Sequence, residues 1–550
     1  MAVPTTTALP LRPASPITDS SSPPSDDSVA KELPQSKKPR ASRPKVRTGC
    51  VTCKIRRVKC DESKPACGRC TSTGRKCDGY YIPPRKNRRI DHDATVDFRP
   101  TPGRCFEVLP STPDETRAIE YFHARTAPNL SSYFDAGFWT RLVFQVSHVE
   151  PAVMHAMVAV GYLNKRRDIG TKPLAALRSV TIATDPTATS MPMRGLVKRH
   201  ETDHNDPFAL AQYNKAISLL AQRLQDPDVA TEIALLACIL FVCVEFLRGD
   251  VEPAFKHFKS GMGIALASLS NAGSAKAVLT MERIKEGMLP FFNRLELLAM
   301  MFGQEAPYAY PTGLPDAVPA SFATIREARD SIVHLMNIGL RFIRRMKKGR
   351  YERLVLPDDL ARQAGIQRAV ERWKGALDAL LLSNAVSRRD LDAAKVLRIH
   401  QLILVIWLSS CCELSDCAVD AYLAEFEAAV SLGEAVQRNA GTREQRREYQ
   451  PTFLFDMEVV SPLYFVGIKC RHPRIRRRAI ALLRQTVRRE GLWDSNMAAA
   501  IAERIATIEE VNLGTLDGSE LPQERDRVHN TEINNMSGES DWHILKPIIA

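Results

Sequence analysis

Six cysteines within one 28-residue stretch constrain this chain more than any other feature. They are separated by two, six, six, two and six residues, and they are Cys50, Cys53, Cys60, Cys67, Cys70 and Cys77. Two thiolates separated by two residues can both reach one tetrahedral ion, so a repeated CxxC pair is typical of a closed structural zinc site. Two tetrahedral ions need eight sulfur contacts, which six thiolates supply only if two of them contact both ions. The near-symmetric halves favour two zinc ions.

Two other interpretations of these cysteines are a disulfide framework and a single zinc site with two spare thiols. Disulfides require an oxidising compartment, and the opening residues MAVPTTTALPLRPASP contain no apolar run long enough for a signal peptide. We therefore expect an intracellular chain. The seven remaining cysteines lack a paired ligand spacing and are expected to be ordinary thiols, mostly buried: Cys105, Cys238, Cys243, Cys411, Cys412, Cys417 and Cys470.

The basic charge of the chain is concentrated around the six cysteines. Residues 31–90 contain 19 Lys and Arg against 4 Asp and Glu, a net charge of +15, whereas the whole chain carries +13. The remaining residues therefore sum to about −2. Such a local excess indicates a phosphate-binding module, because each neutralised phosphate releases condensed counterions. Part of it also offsets the −2 charge of six thiolates with two Zn2+ ions.

Residues 50–77 resemble the DNA-binding module of the fungal binuclear zinc cluster (Zn2Cys6) transcription factors. The resemblance lies in the cysteine spacing, in the basic run KIRRVK at 54–59 and in Pro65 before the second cysteine pair. It implies two Zn2+ ions, with Cys50 and Cys67 as bridging ligands. It further implies that Cys53 and Cys60 complete the shell of one ion, and Cys70 and Cys77 that of the other.

The basic run between Cys53 and Cys60 consists of good helix formers and predicts one or two helical turns. These would project Lys54, Arg56, Arg57 and Lys59 around a short helix anchored by zinc, which can enter the major groove of double-stranded DNA. The resemblance implies that Arg57 contacts guanine in a CGG-like triplet. Arginine suits that role because its planar fork donates to both O6 and N7, whereas the other three are expected to meet phosphates.

The composition of the chain predicts five regions. Residues 1–44 are rich in Pro, Ser and Thr and should form a disordered arm, because they cannot bury enough apolar surface. Residues 45–80 form the zinc module, and 81–111 are a proline-rich linker without the heptad repeat of a coiled coil. Basic groups on both sides of the cluster could serve nuclear import or act as DNA-binding arms, and the spacing does not separate these roles. Either role predicts that the protein is located in the nucleus. Residues 112–515 form a large helical domain, followed by a polar tail at 516–550.

The fold class is mainly α, since apolar residues of the large domain recur at steps of three and four. Thr112, Pro113 and Glu115 predict a capping box that opens it. Predicted helices are Glu150 to Lys165, Pro207 to Leu224, Ala230 to Arg248, Glu252 to Ser268, Phe291 to Phe302, Phe322 to Lys348, Gly365 to Leu382, Leu391 to Cys411, Asp416 to Arg438, Met457 to Lys469, Ile475 to Arg489 and Met497 to Glu510. The most apolar segment, 233–244, is too short to cross a bilayer and is expected to be a core helix.

The large domain is similar to the helical regulatory domain that follows the cluster in many filamentous-fungal members, on segments at 209–220, 248–265 and 462–495. Tyr464, Phe465 and Trp493 are expected in the core, with Arg474, Arg476, Arg477 and Arg478 solvated or paired with acids. No HExxH, GxSxG, GxxxxGK[ST] or GxGxxG motif occurs, and the histidines are scattered singly.

These features predict a non-enzymatic, sequence-specific regulator of RNA polymerase II transcription that contacts DNA and the transcription machinery and has no membrane span. The alternative is a helical enzyme or ligand sensor whose zinc module serves protein contact. A monomer on one half-site and a homodimer formed through the helical domain both remain open, as do activation versus repression and the identity of any small effector.

Overall fold

The computed structural model describes the zinc-cluster segment and most of the helical domain. The described residues are 50–64, 66–78, 110–170, 206–225, 231–270, 282, 284–304, 318–347, 355–383, 386–444, 452–485, 487–518, 520–528, 530–534 and 541–545. The chain divides into two compact units, Met1–Asn87 and Arg88–Ala550. The predicted N-terminal arm, Pro65, Cys105 and nearly all of the predicted linker lie outside the described residues.

Within residues 50–64 and 66–78, the described part of the first unit, lie the short helices Val51–Ile55 and Gly68–Thr71. Its buried cluster is made of cysteines rather than of aliphatic side chains, with Cys50, Cys53, Cys67 and Cys70 at most 1% exposed. A unit of this size cannot bury enough apolar surface to fold on its own, so it depends on a metal core.

The second unit is helical, as predicted. Its α-helices are Pro113–Tyr121, Ala127–Ser131, Val143–Ser147, Pro151–Gly170, Pro207–Arg223, Thr231–Arg248, Val251–Ser270, Leu289–Met301, Ile325–Lys347, Pro357–Leu381, Arg388–Ser410, Leu423–Glu444, Val460–Lys469, Pro473–Gln485 and Ser495–Glu509. Short π-helical segments are Phe122–Thr126, Phe138–Leu142 and Ile284–Met288, and 3-10 segments are Asp416–Tyr422 and Glu524–Asp526. Most predicted helices match these bounds within about five residues, apart from the differences noted below. The predicted helix Gly365 to Leu382 begins too late, because the observed helix starts two turns earlier, at Pro357.

The predicted capping box opens the helical domain. The Thr112 hydroxyl accepts the Glu115 N–H at 3.2 Å, and the Glu115 carboxylate accepts the Thr112 N–H at 3.3 Å. The apolar segment at 233–244 is a core helix, with every residue buried. Among the described helices, none is both long and apolar enough to cross a bilayer.

The predicted helix Ile475 to Arg489 is wrong at its C-terminal end, because the helix stops at Gln485 and residues Arg488–Glu490 form a strand. This strand pairs in parallel with Thr452–Leu454 and antiparallel with Trp493–Asp494. Period-two burial explains the change, since Arg488 and Glu490 both point inward while Arg489 is half-buried. The predicted helix Asp416 to Arg438 likewise begins as a 3-10 segment and becomes α-helical only at Leu423.

Part of the predicted C-terminal tail packs on the helical domain. Arg527, 2% exposed, donates to the Asp420 carboxylate and to the Asp416 carbonyl, and the Val528 N–H donates to Glu509 at 2.8 Å. Further along, Asn530–Asn534 and Asp541–Leu545 form an antiparallel hairpin. The polar composition of the tail did not predict these buried ion pairs or the pair of strands.

Candidate metal centre and nucleic-acid interface

The six predicted ligand sulfurs lie together in the first unit. They form two groups of four, Cys50, Cys53, Cys60 and Cys67 in one and Cys50, Cys67, Cys70 and Cys77 in the other, each with all sulfurs within 4.8 Å of one another. Within these groups, the sulfur of Cys67 lies 3.5 Å from that of Cys50 and 3.6 Å from that of Cys53, and the sulfurs of Cys50 and Cys70 are 3.8 Å apart. A tetrahedral ion with Zn–S bonds of about 2.3 Å holds its sulfurs about 3.8 Å apart, so the residues fit zinc.

The two halves of the module repeat at an offset of 17 residues. The Cys50 N–H donates to Cys60 Sγ at 3.4 Å, and the equivalent Cys67 N–H donates to Cys77 Sγ at 3.5 Å. Cys50 and Cys67, which belong to both sulfur groups, are themselves equivalent positions. Backbone N–H groups aimed at sulfur stabilise thiolate charge, which a bound cation also requires.

The crowding of the thiols explains why the unit needs a cation. Burial raises the pKa of the Cys50, Cys53 and Cys67 thiols. Several thiolates this close repel one another unless a metal ion neutralises them. Metal binding must therefore release protons, and metal affinity should fall at acidic pH.

The helix Val51–Ile55 has the predicted length of one to two turns, but it begins before Lys54 and ends before the two arginines. The Val58 N–H donates to the Cys53 carbonyl at 3.1 Å, which is the closing bond of a Schellman motif with Arg57 at the position after the cap. Arg57 accordingly has φ +56, a left-handed conformation usually taken by glycine. The return of the chain to Cys60 ends the helix, so only Lys54 of the four basic residues lies on it.

The same motif occurs in the second half, where glycine occupies the equivalent position. The Arg75 N–H donates to the Cys70 carbonyl at 3.0 Å, and Gly74 has φ +64. A Cβ built on Gly74 would meet nothing within 4 Å, so the backbone conformation alone favours glycine there. Sequence reasoning did not identify this pairing, although the 17-residue offset between Arg57 and Gly74 would have revealed it.

The predicted DNA-contacting residues differ in their surroundings. Arg57 and Lys59 are exposed, whereas Arg56 is half-buried and donates to Thr73 Oγ1 at 3.2 Å. A second bond between the halves runs from Thr52 Oγ1 to the Asp78 carboxylate at 2.8 Å. The first helix and the turn after it are therefore bonded to the second half. Arg56 was predicted only as a DNA contact, and the sequence did not single out Thr52, Thr73 or Asp78.

The residues singled out in the helical domain are structural. Tyr464, Phe465 and Trp493 are buried, and Trp493 packs against Phe302 and Tyr464. Arg476 is fully buried and bonds Glu509, Arg477 pairs with Glu510, and Arg478 pairs with Glu434 and Glu427. These arginines are thus paired, and Arg476 is not surface at all. Three of the scattered histidines bond inside the fold: His155 to Gln212, His257 to Tyr213, and His400 to the Met457 carbonyl.

Comparison with known proteins identifies the cysteine-rich unit. Residues 48–87 match the fungal Zn(2)-Cys(6) binuclear cluster domain. The chain is 24% identical, over 87% of its length and 90% of the relative, to the aspercryptin biosynthesis cluster-specific transcription regulator of Emericella nidulans. It is 29% identical to a transcription regulator of Purpureocillium lilacinum, over 38% of this chain and 47% of that protein. It is also 31% identical to a Zn(2)-C6 fungal-type transcription factor of Aspergillus fumigatus, over 23% of this chain and 35% of that one. No solved structure matches.

The predicted resemblance of residues 50–77 to a fungal Zn2Cys6 module is confirmed. The predicted cofactor, a pair of zinc ions, is confirmed as well. The similar proteins are transcription regulators, and one of them aligns well beyond the cluster into the helical domain. The zinc-cluster domain and the regulator relatives together support transcription regulation and DNA binding.

Proposed function

We propose that the chain is a nuclear, sequence-specific regulator of RNA polymerase II transcription whose zinc cluster reads a CGG-like triplet in the major groove. One observation carries this proposal. The exposed Arg57 stands in a left-handed conformation at the C-terminal end of the helix Val51–Ile55, where the other half has Gly74. An L-residue costs about 1–2 kcal/mol in that conformation, which supports a use for its exposed side chain outside the fold.

The arrangement supports a division of roles among the basic residues. Arg57 donates from its planar fork to O6 and N7 of guanine, which a lysine cannot match with one ammonium. Lys54 and Lys59 neutralise phosphates. Arg56 also stabilises the module through its bond to Thr73, so only part of its guanidinium is available to DNA.

We assign the zinc ligands from the two sulfur groups. Cys50 and Cys67 contact both ions because they belong to both groups. Cys53 and Cys60 complete one shell, and Cys70 and Cys77 complete the other. This assignment gives each ion four sulfurs from six cysteines, as tetrahedral zinc requires.

The helical domain is a non-catalytic regulatory domain in this proposal, and it contacts the transcription machinery. Its titratable side chains described above form ion pairs and structural hydrogen bonds. The chain binds DNA either as a homodimer formed through this domain or as a monomer on one half-site. Sedimentation of the DNA complex distinguishes the two, because they differ in mass.

Binding of the zinc-loaded chain to a CGG-bearing duplex and to a scrambled duplex, across a salt series, tests the proposal. We expect Arg57→Ala to lower the preference for CGG by about 1–3 kcal/mol. Lys54→Ala should weaken both duplexes alike and reduce the salt slope by about 1.

Absence of any preference in the unsubstituted chain would favour the alternative, a zinc module used for protein contact. Equal loss of preference from both substitutions would refute the division of roles between Arg57 and Lys54.

A further inference from the structure

The helical domain contains a cavity of about 170 Å3. Most of its walls come from the helices Leu289–Met301, Ile325–Lys347, Arg388–Ser410, Val460–Lys469 and Ser495–Glu509. The lining is largely apolar, with Met301, Leu340 and Ile505 among its residues. A cavity of roughly 150 Å3 with an apolar lining stays dry and binds benzene, so this one has room for a molecule of one or two fused rings.

Two buried N–H groups of the lining lack an acceptor. The indole nitrogens of Trp407 and Trp493 are both buried, and neither makes a hydrogen bond within the described part of the chain. Trp493 is only 7% exposed, whereas the Trp407 ring lies 5.5 Å from the ammonium of Lys347, an exposed residue at a helix end. Buried donors normally find an acceptor, so Trp493 marks the place where a ligand can supply one.

A third indole shows why the cavity matters. Trp139 is fully buried, and its nitrogen also has no acceptor among the described residues, but Trp139 does not belong to the lining. Its ring packs against those of Phe138, Phe291 and Phe455, and aromatic faces accept weak N–H contacts. Trp493 differs from Trp139 because it borders free space, which an acceptor can enter.

The surroundings of the cavity disfavour charge. Burial lowers the pKa of Lys469 to about 7 and the pKa of His400 to about 4. Lys469 already pairs with Asp416 at 2.9 Å, and Lys347 already faces the Trp407 ring. A charged ligand would lose its hydration in a place where the cations of the lining are engaged with protein groups. The occupant that suits this lining is therefore neutral.

We propose that this cavity binds a small, neutral, ring-bearing molecule that has a carbonyl group. The carbonyl oxygen accepts a hydrogen bond from the Trp493 indole, and the rings pack against Met301, Leu340 and Ile505. A carbonyl suits this position because it accepts a hydrogen bond without adding a charge or a donor that needs a partner of its own. A hydrocarbon of the same shape would fill the space but leave the indole N–H unpaired. This inference concerns the helical domain alone and does not depend on the DNA sequence that the cluster reads.

Calorimetric titration of the zinc-loaded full chain with three probes tests the proposal. The probes are 1-indanone, which has the carbonyl, indane, which lacks it, and indane-1-carboxylate, which adds a charge. We expect both neutral probes to bind. The carboxylate should bind at least about tenfold more weakly than 1-indanone, because burial of a charge without a free partner is costly.

Trp493→Phe isolates the hydrogen bond. The measured quantity is the ratio of the affinity for 1-indanone to the affinity for indane, because a change in cavity size affects both probes. This ratio should fall about three- to tenfold in Trp493→Phe, as expected for the loss of one neutral hydrogen bond. Trp139→Phe is the matched control, since it removes a buried indole without an acceptor from outside the lining, and its ratio should equal that of the unsubstituted chain.

A second variant tests the location. Met301→Trp should fill the cavity and abolish binding of 1-indanone, whereas Met497→Trp, at a half-buried position outside the lining, should not. Thermal melting of each variant checks that it is folded. No binding of 1-indanone, a carboxylate that binds as tightly as 1-indanone, an unchanged ratio in Trp493→Phe, or unchanged affinity in Met301→Trp would each overturn the proposal.

Discussion

Arg57 and Gly74 occupy equivalent positions in the two halves of the zinc module, and both have left-handed backbone conformations. The fold alone would prefer glycine at both, since the Schellman bond from the next residue to the cysteine carbonyl is the same. The arginine therefore reduces the stability of the first half. Its side chain is exposed at the end of a helix, where it can contact DNA. Recognition of DNA would therefore compensate for the lost stability.

Arg57→Gly separates folding from reading. We expect this variant to keep or increase the stability of the module, by about 1 kcal/mol, because glycine relieves the left-handed strain. It should lose preference for CGG as fully as Arg57→Ala does. Resistance to a competing chelator measures the first effect, and fluorescence anisotropy with CGG and scrambled duplexes measures the second.

Gly74→Ala is the reciprocal control for Arg57→Gly. The added methyl meets no atom within 4 Å, so its expected cost, about 1 kcal/mol, comes from the backbone alone. Unchanged stability in Gly74→Ala together with a less stable Arg57→Gly would contradict the strain argument.

His400 makes the helical domain sensitive to acid. Burial lowers its pKa to about 4 from 6.5, so the folded state keeps it neutral while the unfolded chain protonates it below pH 6.5. The unfolded state binds more protons between those values, and stability must fall as pH drops from 6.5 to 4, by roughly 3 kcal/mol at most. Denaturant unfolding of the chain and of His400→Gln at pH 7 and pH 4.5 should show the smaller pH dependence in the variant. Identical dependence in both would exclude His400 as the source.

At the scale of elements, Glu490 links the small sheet to the helix Val460–Lys469. Its carboxylate is fully buried and accepts the N–H groups of Glu458, Val459 and Val460 at 2.7 to 3.1 Å. Arg488 bonds both Glu458 and Glu490, at 2.9 and 3.3 Å. The strand thus supplies an anion to the positive end of the helix, which has no side-chain cap of its own.

Glu490→Gln removes this charge while preserving the shape of the side chain. We expect a loss of about 2–4 kcal/mol in the free energy of unfolding, because three helix-end donors and Arg488 lose a carboxylate in a buried site. Denaturant unfolding measures the loss. Glu503→Gln is the control, a partly exposed carboxylate paired with Arg484, and it should cost no more than about 1 kcal/mol. Equal effects of the two substitutions would show that burial and capping contribute nothing.

At the scale of the whole molecule, local patterns predicted the features that depend on neighbours in sequence. The cysteine spacing predicted the metal module, the three- and four-residue periodicity predicted the helices, and the Thr112 box predicted where the helical domain begins. The strand Arg488–Glu490 was missed because one of its two partners, Thr452–Leu454, lies more than thirty residues away, and the other, Trp493–Asp494, is only two residues long. The burial of Arg476 was also missed, because its partner Glu509 is distant in sequence and becomes a neighbour only in the fold.

The division of the chain into two units predicts that metal removal unfolds one and spares the other. The buried cluster of the first unit consists of cysteines, so chelation removes the interaction that orders it, whereas the helical domain has an aliphatic core of its own. We expect elemental analysis to find two zinc ions per chain, and a strong chelator to abolish CGG binding and expose six further thiols to a colorimetric reagent. The melting transition of the helical domain should not move under the same treatment. One zinc per chain, or a cluster whose thiols stay protected after chelation, would contradict the shared-sulfur arrangement, because only bridging by Cys50 and Cys67 lets six cysteines saturate two ions.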